Sequence, residues 1–446
     1  MRYIPHTTDD VRQMLGAIGA ASVESLFAPI PEKLRLGRSL ALPKAASEQE
    51  VLAELAALAA RNAHAESHDW FLGAGTYAHF VPSAVDALAS RAEFYTSYTP
   101  YQPEISQGTL QTIFEWQTMI CALTGLEVSN ASMYDGASAT AEAALMAMRL
   151  TRRHKIVAAG LHPHYRDVLR TYCAGPQGVV TEAPREASGC SAPLTGLLDR
   201  DTACIVLQQP SFLGVVEEVR AAADAAHAVG ALLIVVVTEA LSLALLRGPG
   251  ELGADIVCGE AQSFGVPMSF GGPHLGFLAT RSSFVRQMPG RVVGQTLDAR
   301  GRRGFVLTLS TREQHIRRER ATSNICTNQG LMLLRATIYL ALLGRRGLRE
   351  LARMNLAKAA YLRARVRATP GLRLPISAPG FNEVVVGVAG SGAHALKRAL
   401  DDRIVGGLDL APYASELGPA LLVCTTELAS RAAIDRLVKA LSRAAG

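Results

Sequence analysis

The stretch whose reading decides the fold is Ala231–Gly276, ALLIVVVTEALSLALLRGPGELGADIVCGEAQSFGVPMSFGGPHLG. It opens with seven consecutive apolar residues, Ala231 to Val237. That run is too short to cross a membrane and suits a strand buried on both faces of a parallel sheet. It ends in Thr238-Glu239, so a carboxylate stands at the C-terminal mouth of the strand. A second short strand is expected over Ala254–Cys258, followed by a polar, glycine-rich turn closing on Gly271-Gly272-Pro273. Ligands of open α/β sheets bind beyond the carboxyl ends of the strands, so a site is expected at these two strand ends.

The same rhythm continues on both sides. Strands are expected over Lys155–Ala159, Ala203–Gln208 and Leu275–Thr280, with helices over His164–Cys173 and Val216–Val229 between them. Repeated strand-then-helix with continuous apolar strands implies a mainly parallel sheet covered on both faces. Upstream, Thr7-Thr8-Asp9-Asp10 caps a helix that Gly19 ends, and Ser47 with Glu50 opens a second helix running to about Ala60. Prolines 29, 31 and 43 punctuate the arm between them. Downstream of Ser282, Arg312, Arg317, Arg318 and Arg320 with Glu313 and Glu319 predict a solvated helical face laced with ion pairs. A long helix over Asn328–Leu343 then leads to a β-α-β-α lobe. Its strands are Phe381–Val386 and Ala420–Thr425, and its helices Ala393–Leu400 and Ser430–Ala444. The expected domains are therefore an N-terminal helical arm (1–60), a large α/β domain (61–330) and a small C-terminal α/β domain (331–446).

Composition bounds the function. A chain of 446 residues, 49% hydrophobic and 19% charged, can bury a large core. The net charge of +6 comes from scattered basic residues with no Lys/Arg block interleaved with aromatics, which argues against nucleic acid as a partner. Seven widely spaced cysteines, without C-x-x-C, argue against a disulfide framework or a zinc site. His162-Pro163-His164 offers a metal only two ligands. MRYIPHTTDD has no apolar signal core, so the expected location is the cytoplasm.

An acid on one central strand and a reactive side chain just after the next is how pyridoxal-phosphate enzymes hold their cofactor. The acid pairs with the pyridine nitrogen, and a lysine forms the Schiff base. The lysine position, five residues before Pro267, is Gln262, and an amide forms no imine. No lysine occurs between Lys155 and Lys358, and the arginines there cannot substitute, because a guanidinium is always protonated. In the same geometry His162 is the candidate to stack on the ring. The helix start Asn130–Ser138, rich in small and hydroxyl residues, suits an anion. Tyr95, Tyr98 and Tyr101, with Gln102 between Pro100 and Pro103, form an aromatic, turn-forming segment suited to an interface or a pocket.

Five segments together carry a family resemblance: RYIPHTTDD, FLGAGTYAHFVPSAV, YTPYQPEISQGTLQTIFEWQTM, GADIVCGEAQSFGVPMSFGGPHLGF and REQHIRRERATSNICTNQ. They resemble glycine dehydrogenase (decarboxylating) subunit 1, the N-terminal half of the glycine-cleavage P-protein made as a separate chain. The resemblance implies a type I pyridoxal-phosphate-transferase-like fold. It implies a subunit 2 that holds pyridoxal phosphate on its own lysine, in a heterodimer or α2β2 heterotetramer that serves a lipoylated H-protein. On that reading this chain has no catalytic residue of its own. His162, Glu239 and Gln262 are a remnant pocket, Glu239 being longer than the aspartate expected opposite the pyridine nitrogen. Tyr95, Tyr98, Tyr101 and Gln102 are expected to reach the partner's active site. Two other readings stand beside it: an autonomous pyridoxal-phosphate lyase or transferase, for which a lysine at 262 would discriminate, and a regulatory binding module.

Overall fold

The computed structural model describes residues 5–95 and 99–443. They fall into two compact units, Met1–Asn62 and Ala63–Gly446. In the first, the helices form where their caps predict. Thr8–Ile18 starts on a Thr7/Asp10 capping box and stops at left-handed Gly19, and Glu48–Ala59 starts on a Ser47/Glu50 box. No residue from 5 to 62 is buried. Leu26, Phe27, Leu40, Leu42 and Leu52 are each at least half exposed.

The second unit is built on a seven-stranded sheet. Its order is Val128–Ser129, Gly276–Thr280, Ile256–Glu260, Leu232–Val237, Thr202–Gln208, Lys155–Ala159 and Val179–Glu182. The last five of these run parallel, and Gly276–Thr280 is antiparallel to Ile256–Glu260. The central run behaves as a doubly covered strand should: Leu233, Val235 and Val237 enter one core and Ile234 and Val236 the other. The helices Gln107–Thr124 and Gly136–Thr151 bring Trp116 and Ile120 to the first core and Ala143 and Met146 to the second.

The helix expected over Asn328–Leu343 begins at Gly330 and resumes beyond a break at Gly344, whose φ of 58° is a left-handed conformation suited to glycine, reaching Arg367. After it, Glu383–Gly387, Ala420–Cys424 and Leu408–Asp409 form an antiparallel sheet, and Asp69–Trp70 pairs with Ile404–Val405. The small lobe thus has more strands than the β-α-β-α pattern suggested. A hairpin of Val292–Leu297 and Arg303–Thr308 was not foreseen either.

The charge-dense block departs from expectation. Leu309 and Arg318 take positive φ and break it into three short turns, so no continuous helical face forms. Arg312 is buried there, and its guanidinium donates to the carbonyls of Met288, Gly290 and Leu309. Arg317, Arg318 and Arg320 are exposed, as expected.

Candidate functional site

Register places Val237 beside Gly259, so the ends of the two central strands set Glu239 and Glu260 along one edge of the sheet. Both carboxylates are buried, and each is fully engaged by the chain itself.

Glu239 Oε1 accepts from the Leu241 N–H at 3.0 Å, and Oε2 accepts from Asn382 Nδ2 and lies 3.1 Å from His79 Nε2. On its other side His79 Nδ1 sits 2.9 Å from Glu427 Oε2. Burial alone would lower the imidazole pKa, but Glu239 and Glu427 together outweigh it and hold the group up to about 10. Burial likewise works against ionised Glu427, yet His79 and the Phe80 N–H bring that carboxyl down to about 2. This buried carboxylate–imidazolium–carboxylate chain joins the 73–80 loop to the end of Leu232–Val237 and to the turn after Ala420–Cys424. Beside it Glu383 accepts from the Ala74 N–H at 2.6 Å and from Tyr77 Oη at 3.2 Å, and burial pushes its carboxyl up to about 7.

Gln262 is equally committed. Its Oε1 accepts from the Tyr77 N–H at 2.9 Å, and its Nε2 donates to the Tyr77 and Val266 carbonyls at 3.0 and 2.7 Å. The amide matches a backbone strand edge, one acceptor and one donor against Tyr77, a pairing that an ammonium could not make.

His162 is held as a neutral ring. Nε2–H donates to the Ala74 carbonyl at 3.0 Å and Nδ1 accepts from the His164 N–H at 3.1 Å, while burial lowers its pKa to about 4. A Cβ at Gly75 would stand 3.4 Å from the ring, so the glycine loop lies directly against it. His162 lines a cavity of about 400 Å³ with Gly73–Thr76, Asp135, Tyr165, Phe212, Glu260 and Tyr413. Glu239 and Gln262 are not among its lining residues. The three residues of the expected remnant pocket are thus not gathered around one space.

The helix N-terminus at Asp135–Ser138 is also already used. Asp135 Oδ1 accepts from the Ser138 N–H at 2.7 Å and Glu260 Oε2 from the Gly136 N–H at 2.9 Å. The expected anion seat holds the chain's own carboxylates. Tested against pyridoxal phosphate, the residues do not fit: the lysine is an amide bound to backbone, the acid is bound to His79 and Asn382, and the helix start carries two carboxylates. Among the described residues, neither lysine nor arginine lines the cavity.

Tyr98 lies outside the described residues, as does the side chain of Tyr95. Tyr101 is 53% exposed, with its hydroxyl 3.0 Å from Nη2 of buried Arg291, whose guanidinium also stacks on the ring. Arg291 donates further to the Cys326 carbonyl and Asn328 Oδ1, which fixes the tyrosine to the segment after the arginine-rich turns. Gln102 is exposed and precedes the Pro103–Ile105 turn. Sequence reasoning missed His79, Glu260, Glu383 and Glu427. Glu260 alone had a signal, a second acid closing a second apolar strand.

A family model described as glycine cleavage system P-protein matches residues 1–441. A probable glycine dehydrogenase (decarboxylating) subunit 1 from Desulforamulus reducens is 50% identical over 443 residues, covering 99% of each chain. One of the same description from Anaeromyxobacter dehalogenans is 56% identical over 434 residues, covering 96% of this chain and 97% of its own. A crystal structure of glycine decarboxylase (P-protein) of the glycine cleavage system, in inhibitor-bound form, superposes with a TM-score of 0.90 at 45% identity over 99% of both chains. A sphingosine-1-phosphate lyase from Burkholderia pseudomallei, at 18% identity and TM-score 0.65 over 92% of this chain and 94% of its own, shares the fold. The architecture is the type I pyridoxal-phosphate-transferase-like fold, and the chain belongs to the glycine cleavage system P-protein family, among the subunits 1 of glycine dehydrogenase (decarboxylating).

Proposed function

We propose that this chain is the subunit of glycine decarboxylase that does not bind the cofactor. Paired with a subunit 2 carrying pyridoxal phosphate on its own lysine, it forms the complex that decarboxylates glycine and passes the aminomethyl group to the lipoyl arm of H-protein. Its own part is to supply a wall of the partner's active-site cleft and the scaffold behind it. The observation that carries the reading is the commitment of Gln262, Glu239 and Glu260 to internal hydrogen bonds, which leaves none of these three to hold the cofactor. The apolar, unburied arm supports pairing with another chain, since such a surface calls for a cover.

The tyrosine segment is the part of this chain we assign to the partner's cleft. Phenol groups of Tyr95, Tyr98 and Tyr101 and the amide of Gln102 can donate to a carboxylate in a partly dry cleft, where such bonds count for more than in water. The Tyr101 ring is steadied for this by Arg291.

Co-expression with subunit 2 tests the assignment. Carbon dioxide release from carboxyl-labelled glycine, with lipoylated H-protein present, is expected from the complex and from neither chain alone. Tyr101→Phe in that complex is expected to lower turnover about tenfold, about 1.4 kcal/mol in the barrier, with assembly unchanged. Decarboxylation by the isolated chain supplied with pyridoxal phosphate would overturn the assignment. Full turnover with Tyr95, Tyr98 and Tyr101 all changed to phenylalanine would overturn the role of the segment.

A further inference from the structure

The Glu260 carboxylate, 2% exposed, accepts from three backbone N–H groups on separate segments. They are Gly136 at 2.9 Å, Leu275 at 2.7 Å and Gln262 at 3.1 Å. Gly136 is the first residue of the Gly136–Thr151 helix, where the helix dipole presents its positive end. Only this one of the three belongs to a helix; backbone N–H groups that converge from a helix start and from turns are a means by which proteins bind phosphate and other oxyanions. Here the oxyanion belongs to the chain. A Cβ at Gly136 would collide with Tyr165 Oη and stand 3.0 Å from both the Glu260 Cβ and its backbone nitrogen, so glycine suits the close approach of the helix start to this strand end.

The surroundings reinforce the exclusion of a second anion. Asp135, at the same turn, adds another carboxylate to the lining of the 400 Å³ cavity into which this turn opens. His274 stands beside them with its Nδ1 3.6 Å from Glu260 Oε2, and that carboxylate raises the imidazole pKa above its ordinary value.

We propose that Glu260 is a built-in occupant of an oxyanion seat: it closes the seat to phosphate monoesters, and removing its carboxylate exposes three N–H groups that bind a phosphate dianion. The proposal deepens the reading of this chain as the subunit without cofactor. It extends that reading from the missing lysine, which blocks covalent attachment, to the phosphate, which would otherwise hold such a ligand without a covalent bond.

The test is made on the full chain by calorimetric titration with inorganic phosphate, and with pyridoxal 5′-phosphate against pyridoxal, at constant ionic strength. Wild type is expected to give no saturable phosphate binding. Glu260→Ala is expected to melt at a lower temperature, to regain part of that loss in phosphate but not in chloride, and to bind phosphate at least tenfold more tightly than wild type. Pyridoxal 5′-phosphate should compete for the opened seat, and pyridoxal should not. Glu260→Gln keeps the size but fills the seat with an amide, so it should fold and stay closed to phosphate. The proposal falls if wild type binds phosphate as tightly as Glu260→Ala. It falls equally if Glu260→Ala is folded and binds none, or stays unfolded in phosphate while Glu260→Gln is folded. Turnover is not the readout, so failure here leaves the assignment of the complex standing, and failure of the complex leaves this result standing.

Discussion

At Gln262 an amide stands where a Schiff-base lysine would be needed, and its surroundings show why the change is not readily reversed. Gln262→Lys would break the paired bonds to Tyr77 and place an ammonium against buried groups arranged for an amide. We expect it to destabilise the chain by about 1–3 kcal/mol in urea denaturation, the range for stranding a buried polar group. Borohydride reduction with pyridoxal phosphate should leave residue 262 unmodified; a labelled peptide there would refute this. The neighbouring ionic chain makes a pH prediction. His79 titrates near 10 in the folded state against an ordinary 6.5, so its stabilisation is complete below about 6.5 and disappears as pH rises through about 10. Glu383, raised to about 7 from 4.5, acts in the same direction over its own lower window. Glu427, lowered to about 2 from 4.5, loses its contribution as pH falls through that range. His79→Gln should therefore lower the melting temperature at neutral pH and flatten its decline towards pH 10. An equally steep decline in the variant would show that the buried imidazolium is not its source.

The elements whose readings held are those that a single local rule determines. Thr202–Gln208 and Leu232–Val237 are continuous apolar runs, and both arm helices begin on capping boxes. Val179–Glu182 escaped notice because it is an edge strand with exposed ends, and the Val292–Leu297 strand because its polar half points to solvent. The site was legible only by subtraction. The missing amine at 262 could be read, whereas the seat around Glu260 could not, since its donors lie 2, 15 and 124 positions away in the chain. The arginine-rich turns give the plainest case of a local rule overridden. Ion-pair patterning predicts one helical face, but positive φ at Leu309 and Arg318 turns Arg312 inward, where it serves three carbonyls. Arg312→Leu strands those acceptors, and we expect a loss of about 2–4 kcal/mol in chemical denaturation. Arg317→Ala and Arg320→Ala, both at exposed positions, should stay within about 0.5 kcal/mol of wild type. Equal effects from all three would mean that Arg312 is not bound inward in solution.

For the whole molecule, the question is what covers the arm. Leu26, Phe27, Leu34, Leu40, Leu42 and Leu52 are 50–72% exposed, and a segment with no buried large apolar side chain among its described residues has little reason to stay ordered by itself. Fully burying one such side chain contributes about 1.5–3 kcal/mol, so covering even a few would dominate the association energy. The unit from Ala63 onward does not need the arm for its core: among the described residues its buried clusters begin at Phe71. Deleting residues 1–40 removes the first helix and the proline-punctuated stretch while leaving those clusters whole. We expect the melting temperature of the isolated chain to change little. The dissociation constant for subunit 2, measured by sedimentation at several concentrations, should rise at least tenfold, about 1.4 kcal/mol. Activity of the complex should fall in proportion to the fraction dissociated and recover at high protein concentration, because the arm holds the partner and does no chemistry. A truncated chain that binds subunit 2 as tightly as the full one would show that something else covers this apolar surface. Loss of activity with tight binding intact would instead place the arm at the active site.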